Sequence, residues 1–156
     1  MLIPARRQVG SNARKQEEEK PKLRVAAYCR VSTDSDEQAT SYEAQVEHYT
    51  EYIQKNPDWE FAGIYADDGI SGTNTKKRSE FKRMIACAKE GDFDLIITKE
   101  ISRFARNTLD SIYYTRDLKK HGVGVIFMND NINTFDKDAE LRLTIMSSIA
   151  QDEVRK

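Results

Sequence analysis

The stretch Leu23-Arg24-Val25-Ala26-Ala27-Tyr28-Cys29-Arg30-Val31-Ser32-Thr33 decides how this chain is read. Its first nine residues form a mainly apolar run, which predicts a buried strand. Period-two geometry throws Arg30 and Ser32 onto the same face at the carboxyl end of that strand. In α/β domains this edge of the sheet is where sites are kept. A hydroxyl delivered beside a guanidinium suits attack on a phosphate. The simpler reading makes Ser32 a cap and Arg30 a surface charge, and the residues that follow decide between the two.

From Leu23 onward short apolar runs alternate with amphipathic stretches, the pattern of βαβ units around a largely parallel sheet. Strands are expected at 23–31, 60–66, 93–98 and 123–128, so the fold class is α/β, with a sheet of about four to five strands flanked by helices. Between the first two strands, Thr40 and Glu43 read as a capping box that starts a helix. Tyr42, Val46, Tyr49 and Ile53 recur at helical spacing as a core stripe until Asn56-Pro57 stops it. A second helix is expected over about 79–90, burying Phe81, Met84, Ile85 and Ala88 before Gly91, and a third over about 108–120 before Gly122. The segment 138–156 carries Leu141, Ile145, Met146 and Ile149 along one face and reaches Lys156 without a stop signal. That pattern predicts a long helix continuing toward further domains.

The chain has 156 residues, 38% of them hydrophobic and 33% charged, enough for one domain with a real core. Its net charge of −1 excludes a globally basic nucleic-acid binder, so any phosphate site must be local. Residues 1–22 are polar and strongly charged, and read as a flexible arm. No apolar stretch approaches the roughly 20 residues a membrane helix requires, and no secretory signal opens the chain, which predicts a cytoplasmic protein without a membrane partner. Cys29 and Cys87 have no metal-ligand spacing and read as free, buried thiols.

Three clusters fall at strand ends on one side of the expected sheet. The first is Arg30 with Ser32. The second is the loop Asp67-Asp68-Gly69-Ile70-Ser71-Gly72 running into Lys76-Lys77-Arg78, and the third is Lys99 followed by Ser102, Arg103 and Arg106. Taken singly, each of these arginines could be a solvated helix-end charge. Several guanidiniums around one serine, however, stabilise a pentavalent phosphorus transition state without a metal.

With these residues in view, the chain from Lys22 to Lys156 resembles the catalytic domain of the serine recombinases, the resolvase, invertase and large-integrase superfamily. The resemblance rests on Tyr28-Cys29-Arg30-Val31-Ser32-Thr33, the Gln45 helix, Asp67-Asp68-Gly69-Ile70-Ser71-Gly72, Arg78, and Ile101-Ser102-Arg103-Phe104-Ala105-Arg106-Asn107. The spacing of the second loop and of 91–106 looks most like the large serine recombinases, which include phage integrases and mobile-element transposases.

The resemblance implies that Ser32 attacks a DNA phosphodiester, leaving a 5′-phosphoserine link and a free 3′-hydroxyl, with no cofactor or metal. Arg30, Arg78, Arg103 and Arg106 would surround the phosphate, with Gln45 and Asp67 in support. It further implies a catalytic domain over 23–137 and an interface helix from 138 leading to DNA-binding domains. The implied partners are recombination sites in duplex DNA, a homo-dimer and a synaptic homo-tetramer whose halves rotate, with room for an accessory directionality protein. Such a protein is bacterial or phage-encoded and works on the nucleoid. One departure concerns Ser102, where many members carry an aspartate, which puts a carboxylate general acid in doubt. A competing reading is a receiver-like or phosphate-binding signalling domain, with Asp67 and Asp68 on magnesium and Lys99 on a phosphoryl group. It gives Arg30 and Ser32 no task. A third is a non-catalytic assembly module, which intact Ser32 and all four arginines argue against.

Overall fold

The computed structural model describes residues 22–31, 36–68 and 78–155. Strand β1 (Leu23–Val31) is followed by helix α1 (Asp36–Gln54), strand β2 (Trp59–Asp68), helix α2 (Ser79–Lys89) and strand β3 (Leu95–Thr98). A 3-10 turn (Ile101–Arg103) then leads to helix α3 (Thr108–Lys120), strands β4 (Gly124–Phe127) and β5 (Ile132–Asn133), and helix α4 (Ala139–Arg155). The sheet order is β2-β1-β3-β4-β5. Strands β1 to β4 are parallel, and β5 runs antiparallel along β4.

Alternation along β1 builds two cores. Val25, Ala27 and Cys29 face α1, where they join Tyr49, Ile53, Leu95 and Ile97. Ala26 and Tyr28 face the other way, into a larger core with Phe81 and Met84 of α2, Ile112 and Leu118 of α3, and Leu143 of α4. The strands are apolar on both faces because helices cover both. Burial of Phe81, Met84, Ile85 and Ala88 along α2 follows the stripe expected from the sequence. Cys29 and Cys87 are both free, Cys29 buried and Cys87 half-buried.

Strand β2 contains a bulge. Val25 pairs with Phe61 but Ala26 pairs with Gly63, so Ala62 is the extra residue. Gly63 takes φ of +128°, a conformation that a side chain would strain. Beyond the bulge Tyr28 lies opposite Tyr65, and Arg30 opposite Asp67.

Several expectations need correction. Helix α1 begins at Asp36, so Thr40 and Glu43 lie inside it and do not cap it. Residues 37–39 contain no helix breaker, so nothing in the sequence stops the helix from starting before Thr40. Tyr42 is 41% exposed and outside the core, whereas Tyr49 and Ile53 are buried. Strand β5 has two residues, too few to show a period in sequence. In α4, Leu141, Ile145 and Ile149 stand out in solvent and the inward stripe is Ala139, Leu143, Met146 and Ala150. Among the described residues no helix is long and apolar enough to cross a membrane.

Candidate active site

The sheet order reverses direction at β1, with β2 on one side and β3 on the other, so the carboxyl ends of β1 and β3 flank a topological switch point. Backbone pairing between these strands covers Val25 to Ala27 against Leu95 to Ile97. One residue further on, the Thr98 hydroxyl donates to the Tyr28 carbonyl at 3.0 Å. Past that point the segments that follow the two strands carry the residues singled out in the sequence.

Asp67 organises one side of this crevice. It is 4% exposed, and its carboxylate accepts from the Tyr28 hydroxyl at 2.8 Å. The same carboxylate accepts from the backbone N–H groups of Glu80 at 3.0 Å and Phe81 at 2.9 Å. These are orphan donors in the first turn of α2, which receives no side-chain hydrogen bond from its own N-cap residue, Arg78. Asp67 is therefore a cap delivered from a neighbouring strand, and its negative charge sits at the positive end of the helix. Burial, then donation to Asp67, raises Tyr28 above the ordinary tyrosine range, so its hydroxyl stays a neutral donor.

Arg78 heads the capped helix. Its Nη2 donates to the Phe104 carbonyl at 2.6 Å, and its guanidinium carbon lies 4.8 Å from the centre of the Phe81 ring. The Phe104 ring is fully buried against Phe81, Tyr28 and Phe127. This aromatic cluster locks the head of α2 to the segment after β3. Burial pulls Arg78 below its ordinary range. Tyr28 and Asp67 act against that shift, and the charge of Arg30 adds to it. Arg30, half-buried at the end of β1, lies on the Tyr28 side of the strand and near enough to Arg78 to repel it. Two guanidiniums thus share one end of the sheet. Both oxygens of Asp67, the carboxylate that acts on Arg78, already accept from other donors. An anion would satisfy this arrangement.

Arg103 and Arg106 are held differently. Arg103 ends the 3-10 turn and Arg106 precedes Asn107, whose side chain caps α3 by accepting from the Asp110 N–H at 2.9 Å. Both arginines are exposed. Between them the Ala105 N–H donates to the Ser111 hydroxyl at 2.8 Å, which fixes the backbone but neither arginine side chain. Ser102 is exposed, and its hydroxyl lies 3.4 Å from a Glu100 carboxylate oxygen.

Gln45 is on α1, across the sheet from Arg78. It lines a cavity of about 290 Å³ with His48, Tyr49, Lys99, Met128 and Asn129. Ser32 and the loop 69–77, including Lys76 and Lys77, lie outside the described residues. Sequence reasoning assigned no role to Tyr28, although it stands two residues before Arg30 and so shares its face. It also missed Glu100, next to Lys99 in the third cluster.

Two observations bear on what else these residues could do. Asp67 is engaged by three donors, which commits one of the two carboxylates that a magnesium-dependent receiver would use. Cys29 is buried on the α1 side, and burial pushes its thiol up to about 11, far from the thiolate a nucleophile requires.

Comparison with known proteins bears on the fold and the family. The R46 site-specific recombinase of Escherichia coli is 30% identical over 134 residues, which cover 86% of this chain and 64% of the relative. The transposon Tn3 resolvase of Escherichia coli is 29% identical over 139 residues, covering 86% of this chain and 65% of the relative. The chain thus spans a little under two thirds of each. Among solved structures, a resolvase family site-specific recombinase from Streptococcus pneumoniae superposes with a TM-score of 0.70 at 31% identity, covering 86% of this chain and 91% of the other. The N-terminal catalytic domain of TP901-1 integrase gives 0.65 at 28% identity, covering 85% and 97%. The family profile described as resolvase, N terminal domain, matches residues 25–156, and on that match the chain belongs to the resolvase N-terminal domain family.

Proposed function

We propose that this chain is the catalytic part of a site-specific DNA recombinase that cuts and rejoins duplex DNA through Ser32. The observation that carries the reading is the placement of Arg30 and Arg78 about Asp67 at the carboxyl edge of the sheet: Arg30 lies opposite Asp67 in the strand register, and Arg78 heads the helix that Asp67 caps. Ser32 follows directly on the last residue of β1. Its hydroxyl gives up a proton as Oγ attacks phosphorus, the bond from phosphorus to the 3′-oxygen breaks, and the 3′-oxygen takes up one proton and leaves as a hydroxyl, so the proton count is unchanged. The 5′-phosphoserine that remains keeps the bond energy for rejoining, when a 3′-hydroxyl attacks and Ser32 is released. Arg30, Arg78, Arg103 and Arg106 stabilise the charge that grows on the phosphate oxygens. Asp67 holds Arg78 in place, and Gln45 supports the opposite side.

The division of labour runs along the chain, with chemistry in 23–137 and assembly from 138 onward. Leu141, Ile145 and Ile149 recur every four residues on α4 and are 63%, 51% and 55% exposed. Such a stripe suits a second copy of this helix, giving a dimer and then a tetramer across two DNA sites. Integration, excision and transposition of a mobile element all fall within this reaction, in a cytoplasmic protein working on the nucleoid.

The test is covalent trapping. The full-length protein is incubated with linear DNA bearing the ends of its element, then denatured. Protein joined to a 5′ end supports the reading. Attachment to a 3′ end, or cleavage with no attachment, overturns it.

A further inference from the structure

A chain of hydrogen bonds runs from α4 to the turn that carries Arg103. Ile101 begins that turn, and its preceding residue Glu100 makes no side-chain capping bond. The cap comes instead from Asp130, 29 positions on, whose Oδ2 accepts from the Ile101 N–H at 2.8 Å. Asp130 sits in the tight connection between β4 and β5, where Asn131 adopts φ of +54°, uncommon for a residue other than glycine. Arg142 of α4 grips this connection from outside. Its Nη2 donates to the Asp130 carbonyl at 2.9 Å and its Nη1 to the Asn131 carbonyl at 2.5 Å. Both are charge-assisted bonds from one rigid fork to successive carbonyls. The backbone reinforces the far end, since Asn129 N–H donates to the Lys99 carbonyl at 2.8 Å and Met128 N–H to that of Thr98 at 2.9 Å.

We infer that Arg142 and Asp130 are positioning residues that couple the placement of α4 to the placement of Arg103. Arg142 lies next to Leu141 and one turn before Ile145 on α4, so whatever covers that exposed stripe lies beside the guanidinium. A shift of α4 on assembly moves the 130–131 connection through two bonds, and through the Asp130 carboxylate it moves the start of the arginine turn. Arg103 has no side-chain hydrogen bond of its own among the described residues, so the backbone of its turn sets where its charge sits. The inference rests on the proposed reading of Arg103 and α4, but the physical link can be tested apart from it.

The experiment uses the full-length protein with two readouts. The first is hydrogen exchange of the Ile101 amide, without DNA. Asp130→Ala should speed it by at least about tenfold, and Arg142→Ala, which removes no bond within the turn, by at least about threefold. The second is single-turnover cleavage in the assembled DNA complex. There each variant should change the rate by about fivefold or more in the same direction, and the double variant by no more than the larger single effect. Asp130→Asn keeps an oxygen acceptor and should stay near the wild-type value in both. If Asp130→Ala does not fold, Arg142→Ala and Asp130→Asn carry the test, because Arg142 is partly exposed. Unchanged Ile101 exchange in Arg142→Ala overturns the coupling, as do cleavage effects that multiply. A wild-type protein that never joins DNA overturns the functional reading instead, and the exchange result still decides whether the link exists.

Discussion

Arg78 and Arg103 carry the same charge to the same edge of the sheet, but the fold holds them in opposite ways. Arg78 is gripped by a carbonyl and an aromatic ring, on a helix capped by Asp67. Arg103 ends a three-residue turn and is exposed. The difference separates preorganisation from availability. A half-buried, tethered cation holds its geometry before any substrate arrives, whereas an exposed one is placed by whatever fixes its turn.

The largest effect sharpens the comparison by removing what both arginines serve. Ser32→Ala should abolish covalent attachment to DNA and leave the melting transition unchanged. Residual attachment mapped by peptide sequencing to another side chain would remove Ser32 as nucleophile. Cys29, buried with its thiol raised, is a poor replacement.

The next prediction tests the contrast directly. On the proposed reading, Arg78→Ala and Arg103→Ala should each slow single-turnover cleavage by at least about a hundredfold, since each would remove a cation from the growing charge. Their stabilities should differ. Arg78→Ala loses a charged hydrogen bond and a ring contact, a cost of about 1–3 kcal/mol, while Arg103→Ala should fall within about 0.5 kcal/mol of the parent. Urea denaturation measures both. Equal stability losses would show that the tether of Arg78 has no energetic weight.

Asp67→Ala strikes the tether from below. It removes the cap of α2 and strands the buried Tyr28 hydroxyl, so stability should fall by about 2–4 kcal/mol. Cleavage should slow by about tenfold, because Arg78 remains present but loosely aimed. Asp67→Asn keeps one acceptor oxygen and should recover part of each loss, and an Asn variant worse than Ala would contradict the capping role.

The smallest effect belongs to Ser102→Ala. Ser102 is exposed, and among the described residues its side chain makes one long hydrogen bond, to Glu100. Cleavage should slow by less than about tenfold, or about 1.4 kcal/mol of barrier. A defect as deep as that of Arg103→Ala would give the hydroxyl a chemical part in the reaction.

What could be read from the sequence follows from how local each cause is. The bounds of β1 and α3 and the buried face of α2 were legible because period, cap residues and terminating glycines all lie within a few positions. The start of α1 was misread because Thr40 and Glu43 match a cap pattern that the residues before them override. The two stripes of α4 were merged because periodicity reports that apolar faces exist, not which one the neighbouring α3 covers. Arg30, Arg78 and Asp67 were picked out by type and position. That Asp67 caps a helix 12 residues on, or that Asp130 caps the turn at Ile101, depends on strand register and loop geometry, which no local pattern encodes.

The bulge at Ala62 has a consequence for crowding. Among the described residues strand β2 forms one border of the sheet and is ten residues long, with Phe61 38% exposed, so its outer backbone offers a template on which a strand from another molecule could form. The other border, β5, is two residues long and offers almost nothing. An extra residue with Gly63 at φ of +128° breaks the regular spacing of donors and acceptors on the long border. On the proposed reading, copies gathered on one DNA would thereby be discouraged from fusing strand to strand, and contact would be left to the exposed stripe of α4.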